Sequence, residues 1–308
     1  LPILIEAETK AKLMKQSARS EVFHFVVNEL QTTLPYLSSE HSNLLGNNYG
    51  HMTKSVAYFL LARLALNAEV YSDDDWTDKL KQDGTKIYFQ VGGQSLNAWQ
   101  TTMAYCDSLT EMGYSLEKNY ADNFVVSNEH SRENIFTIPM DKTLYATVFK
   151  NLFRTLHYVH GSALGRGAEN GSSATLSTLS TFGYGTPHQD PRFEFNFFAD
   201  TVKVDDKVVM INKTTPLVYH PLSIKIQLTG AKYEKTAGAR MKKYEIDRTA
   251  YDDGKLQNND IVLYRYADAL LMQSEAMIRQ GRNGDVPLNM VRARVGLSPL
   301  RNATLTDV

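Results

Sequence analysis

The stretch YRYADALLMQSEAMIRQGR, Tyr264 to Arg282, constrains the fold more than any other part of the chain. Val262, Tyr266, Ala269, Leu270, Gln273 and Met277 recur at helical spacing and make one stripe. Asn259 or Asp260 can cap this helix, and Gly281 closes it. Arg265 and Asp268 lie three apart, Glu275 and Arg279 four apart, so each pair can meet on the helix surface. After a turn at NGD a second helix, PLNMVRARVG, carries Pro287 in its first turn. A helix with one apolar stripe needs another helix to cover it, so the spacing predicts an αα-hairpin.

A region near the start of the chain follows the same plan. SVAYFLLARLALNAEVY, Ser55 to Tyr71, continues a helix from Lys54, with Thr53 as its N-cap. Arg63 sits near its middle, and the run is too short and charged for a membrane span. In LNAWQTTMAYCDSLTEMGY, Ala98, Thr102, Tyr105, Leu109 and Met112 share a face, and Gly113 is the C-cap. Ahead of both, SEVFHFVVNELQTTLPYL places Val22, Phe23, Val26, Leu30 and Leu34 at helical spacing, and Pro35 ends it. The two hairpins resemble degenerate tetratricopeptide units, which bury their faces against neighbouring hairpins. The expected fold is therefore mainly α: stacked αα-hairpins with long irregular loops and a few short strands. Within a single domain over 1–308, residues 17–116 are the helical scaffold, 119–257 a loop-rich variable region and 258–300 the C-terminal hairpin.

The loop-rich region is rich in glycine, aromatics and Ser/Thr. A helix is expected over about Thr143–His160. Brief strands are expected at RFEFNFF, where Phe193, Phe195 and Phe197 alternate as one buried face, and at KVVMI. Another is expected at Ile87–Val91. Long loops on a helical scaffold are frequent sites of recognition.

Of the 308 residues, 43% are hydrophobic and 22% charged, a globular composition; 33 basic residues balance 34 acidic ones. That balance argues against a nucleic-acid partner held by bulk charge. One cysteine, Cys106, excludes an internal disulfide framework and a multi-cysteine zinc site, and its helix position predicts a buried, inert thiol. No G-x-S-x-G elbow occurs, and GRGAENG is not a dinucleotide fingerprint. His157 and His160, three apart, could share a helix face but lack a third ligand nearby and read as packing or surface residues. DDDWTD, Asp73 to Asp78, has Asp78 and Gly84 where a calcium loop needs glycine and glutamate, so it reads as a solvated acidic loop. No cofactor or metal and no catalytic residue is expected. Trp99 is expected in the core, and Arg63, Arg265 and Glu275 in ion pairs of the scaffold.

Five ordered stretches resemble the RagB/SusD family. NNDIVLYRYADALLMQSEAMIRQG with VRARVGL is similar to the family's C-terminal signature. SEVFHFVVNELQTTLPYL and MTKSVAYFLLARLALNAEVY are similar to its earlier helices. EMGYSLEKNYADNFVVSNEHSRENIFTIP matches with Tyr114, Leu116, Tyr120, Phe124, Glu133, Ile135 and Phe136 in register, and DPRF matches its DxR segment. The resemblance implies a tetratricopeptide-like, non-enzymatic lipoprotein on the outer-membrane surface of Bacteroidetes. Such a protein captures oligosaccharide, or in some members peptide, for a TonB-dependent (SusC-like) transporter. It implies a membrane link only through a lipid anchor that this chain lacks, and a truncation at both ends. The alternatives are a peptide-binding member and a tetratricopeptide-type interaction module without a small ligand.

Sugar rings present apolar faces to aromatics and hydroxyls to amide, carboxylate and guanidinium groups. On residue type and loop placement, the expected ligand contacts are Trp76, Tyr88, Arg166, Glu169, Asn170, Phe182, Tyr184 and His188. Tyr184, between two glycines, is expected to be exposed.

Overall fold

The computed structural model describes residues 15–144, 154–250 and 256–308, together with Ile3. Four helices come first: α1 (Arg19–Thr33), α2 (Lys54–Leu66), the single turn α3 (Ala68–Tyr71) and α4 (Ala98–Glu111). Three short ones lie in the loop-rich region: α5 (Tyr158–Ala163), α6 (Leu176–Thr181) and α7 (Arg192–Asn196). The chain returns to long helices at α8 (Tyr266–Arg279) and α9 (Asp285–Arg294). The strands pair as two-stranded antiparallel ribbons. They are β1 (Tyr88–Val91) with β2 (Gln94–Asn97), and β3 (Asn134–Ile138) with β10 (Ile261–Arg265). β4 (Phe197–Phe198) pairs with β9 (Arg240–Met241), β5 (Asp200–Thr201) with β8 (Val218–Tyr219), and β6 (Lys203–Val204) with β7 (Lys207–Val208).

The long helices stack in the order α1, α2, α4, α8, α9, the predicted pile of hairpins. Small residues let the axes approach: Ala57, Ala62 and Ala65 of α2, Ala98 of α4, and Ala269 and Ala276 of α8 are all fully buried. Phe59, Leu61, Trp99 and Leu109 fill the space between them. Thr102 Oγ1 donates across the interface to the Ala62 carbonyl, and the Thr110 and Tyr266 hydroxyls meet at 2.7 Å. Cys106 is buried, and desolvation raises its pKa, as an inert thiol requires. A Cβ on Gly84 would lie 2.2 Å from the Trp99 indole, so the loop closes over that ring only because the residue is glycine.

Several local expectations are corrected. The α8 stripe does not extend back to Val262: residues 261–265 form β10, and the helix starts at Tyr266. Asp260 is no cap. It is buried and accepts from Tyr49 Oη, Thr137 Oγ1 and the Met140 amide. With Arg265 in an extended conformation, its side chain turns away from Asp268 to Glu133, 2.5 Å distant. The Glu275–Arg279 pair forms as expected, at 2.7 Å. Arg63 is exposed and has no acidic partner among the described residues. Thr53 stands at the N-cap of α2, but its hydroxyl meets Ser55 Oγ and makes no cap bond. The helix expected to run on to Tyr71 breaks at Asn67.

RFEFNFF is not one strand. Asp190 accepts the Arg192 amide and starts the helical turn α7, which buries Phe193, turns Phe195 outward and leaves only Phe197–Phe198 extended. Of the helix expected over Thr143–His160, residues 145–153 lie outside the described residues; His157 caps α5 instead of continuing a helix.

Candidate functional site

The loop-rich region holds a cavity of 620 Å³ between α5, the β6–β7 hairpin and the strap 242–249. The hairpin tip is a two-residue turn in which Asp205 and Asp206 have φ of +49° and +61°, the geometry that matches the twist of paired strands. Asp205, at the tip, receives both terminal nitrogens of Arg248 at 2.9 Å. That bidentate pair ties the hairpin to the strap across the cavity mouth. The strap is fixed by its own hydrogen bonds. Glu245 accepts the Val126 amide, Asp247 the amides of Thr249 and Asn258, and Tyr244 Oη the Val262 amide.

His160 and Phe198 provide an aromatic wall, edge to face at 4.7 Å between ring centres, and Lys242 Nζ lies 5.3 Å from the Phe198 ring centre. His160 is fully buried, and desolvation with nearby His157 lowers its pKa to about 4, so it is neutral at pH 7. Tyr219 Oη accepts the His157 amide at 2.9 Å and lies 3.1 Å from His160 Nδ1. Nε2 has no partner among the described residues. An aromatic wall and a rim of Lys203, Lys242 and Arg248 can hold a hydroxylated, uncharged or weakly acidic molecule. A smaller cavity shares Val204 and Asp205 with this one, so the hairpin is accessible on both flanks.

None of the eight residues nominated from sequence lines this cavity. Trp76 and Tyr88 are exposed, 78% and 62%, on the helical side of the molecule. Arg166 is buried; Glu169 is exposed and pairs with Arg154 at 3.6 Å. Asn170 has a φ of +53° and donates to the Lys235 carbonyl. Phe182 and Tyr184 pack with Phe193 and Phe197 in a small aromatic cluster. Tyr184 is half-buried, not exposed: its ring lies 4.7 Å from that of Phe193 and its hydroxyl donates to Asp200. Its pKa is raised to about 12 by burial and by that carboxylate. His188 is exposed on the following turn. The structure thus disperses the eight over the helical side and two loop clusters. His160, Lys203, Asp205 and Arg248 were missed; KVDDKV was readable as two short strands around a two-residue turn.

The sequence model of the SusD family matches residues 76–307. The chain belongs to the SusD family. No curated protein sequence matches it. Its fold is similar to surface glycan-binding protein A from Bacteroides uniformis, at 18% identity and a TM-score of 0.64, over 100% of this chain and 56% of that one. It is also similar to a SusD-like carbohydrate-binding protein from Bacteroides fragilis (16%, TM-score 0.65, 99% and 56%). A third likeness is surface glycan-binding protein A from Bacteroides thetaiotaomicron in complex with laminarihexaose (16%, TM-score 0.61, 93% and 56%). The chain spans a little over half the length of these structures. Two of the five SusD-like stretches read from sequence meet at Glu133, which is fully buried and takes Arg265 on one carboxylate oxygen and Arg294 on the other. They hold the scaffold together where β3, β10 and α9 meet.

Proposed function

We propose that this chain binds glycan at the bacterial outer-membrane surface, without turning it over, and passes oligosaccharide to a TonB-dependent, SusC-like transporter. The observation that carries the reading is the 620 Å³ loop-region cavity, with its aromatic wall and charged rim, on a fold similar to that of a surface glycan-binding protein solved with laminarihexaose. In this reading Phe198 faces a sugar ring, with buried His160 backing that ring, and Lys203 and Arg248 bind at the rim. Trp76 and Tyr88, both exposed on the helical side, stay candidate contacts, as does exposed His188 in the loop-rich region. Arg166, Glu169, Asn170, Phe182 and Tyr184 shape the loops that carry the ligand in this proposal.

Calorimetry against a panel of plant, microbial and host oligosaccharides tests it, with product analysis for hydrolysis. Binding without cleavage is expected. Phe198→Ala should weaken it about tenfold, the equivalent of about 1.4 kcal/mol. Binding lost in Trp76→Ala but intact in Phe198→Ala would move the site to the helical side. Cleavage of any oligosaccharide would overturn the non-enzymatic reading.

A further inference from the structure

A second cavity, of 330 Å³, opens where β10 and α8 meet the loop-rich region. Its floor is the rings of Tyr120 and Phe124, and four cations line it: Arg192, Lys243, Arg265 and Arg294. Arg265 and Arg294 share the single carboxylate of Glu133, and Arg192 is held bidentate by Asp190. Asp268 is the acid lining the cavity itself. Four cations therefore face three carboxylates.

The surplus is localised. Lys243 has no carboxylate within ion-pair distance among the described residues; its ammonium lies 4.6 Å from the Phe124 ring centre. Arg265 lies 5.6 Å and Arg294 5.3 Å from the Tyr120 ring centre. Ring faces attract cations without neutralising them. The Arg294 side chain is 5% exposed, and its Nε has no acceptor among the described residues. Lys243 keeps access to solvent, yet partial desolvation and repulsion from Arg265 bring its pKa down to about 8. An anion in the cavity would offset both costs.

We propose that this cavity binds one anionic oxygen group, a carboxylate or a sulfate ester, carried on a glycan. The inference rests on the glycan-binding reading and narrows it to acidic polysaccharides. Lys243 supplies the point charge and the buried Arg294 guanidinium a second fixed one, while the Glu133 network holds the guanidiniums in place.

Calorimetry on the full chain separates the possibilities, with neutral β-glucan, uronate-containing and sulfated oligosaccharides and with sodium sulfate alone. Wild type is compared with Lys243→Gln and Lys243→Arg, each checked by circular dichroism. Acidic oligosaccharide should bind, about tenfold more weakly in Lys243→Gln, with most of the loss restored by Lys243→Arg and a marked weakening in high salt. The uronate and sulfated arms decide which group is taken. Equal binding of acidic oligosaccharide by wild type and Lys243→Gln would overturn the proposal. Binding of neutral glycan alone would overturn it and leave the glycan reading standing. Silence towards every glycan, with or without sulfate binding, would overturn both.

Discussion

The helical scaffold and the loop-rich region solve the burial problem in different ways. In α2, α4 and α8 the helices satisfy their own backbone, so side chains are free to form one continuous apolar cluster from Phe23 to Val291. Between residues 154 and 250 the apolar side chains make two small clusters, one around Phe193 and one around Tyr219. Polar side chains brace the backbone there. Buried Arg240 donates to the carbonyls of Ser172 and Lys235 while its guanidinium lies over the Tyr219 ring, and Asn170 donates to the same Lys235 carbonyl. A backbone held by long-range polar struts can follow an irregular path, which is what a cavity with converging loops needs.

The most severe way to break this arrangement is at the junction. Glu133 is fully buried and also accepts from the Glu117 amide and Asn123 Nδ2, so Glu133→Ala leaves two guanidiniums and two N–H donors without partners. Loss of an acidic partner from such a site costs about 3–5 kcal/mol. Urea denaturation should show a loss of that size; a change below about 1 kcal/mol would mean that the motif residues do not join the two regions.

The loop region should also be the acid-sensitive half. His160 has a folded pKa near 4, against 6.5 in the unfolded chain, because burial disfavours the imidazolium. Between those values the unfolded chain binds a proton that the folded chain does not, so stability falls as pH drops from 6.5 towards 4. His157, also lowered, acts in the same direction. The full effect of the His160 shift is on the order of 3 kcal/mol. Denaturation midpoints at pH 7 and pH 4.5 should diverge in wild type and converge in His160→Asn. An unchanged slope in that variant would place the acid sensitivity elsewhere.

This contrast also explains what could be read from the chain alone. The helices were legible because their stripes are local and periodic: Ala98, Thr102, Tyr105 and Leu109 do face one way, and Gly113 and Gly281 do stand past helix ends with positive φ. The start of α8 was misjudged because β10 continues the apolar pattern without a break, and only pairing with β3, distant in sequence, decides it. At DPRF the alternation of phenylalanines outweighed an aspartate–proline helix start that was present. The cavity was not legible. It joins His160, Phe198, Asp205 and Arg248 through tertiary contacts that no local pattern encodes. Residue type and its place between two glycines nominated Tyr184, whose ring packs on the Phe193 cluster.

Two smaller changes sharpen the contrast from opposite sides. In the scaffold, Gly84→Ala drives a methyl into the Trp99 ring, which is 2% exposed and covered by Arg279 at 4.9 Å. Overpacking of this kind costs about 1–3 kcal/mol. A loss within that range should appear in urea melts, with a change in tryptophan fluorescence; a neutral result would show that the loop over Trp99 yields freely.

In the loop region, Arg248→Ala removes an exposed ion pair whose side chains are 47% and 69% accessible. Such pairs contribute about 0.2–1 kcal/mol, screened by salt, so the melting curve should hardly move. Glycan affinity should nevertheless drop, because Arg248 both lines the cavity and tethers the hairpin tip that carries Asp205. Asp205→Ala releases the tether and keeps the guanidinium, so comparing the two variants by calorimetry assigns the loss. If only Arg248→Ala weakens binding, Arg248 contacts the ligand. Equal loss in both means that the hairpin's position is what the ligand reads. No loss in either would exclude this rim from the binding site, however well the strap is held.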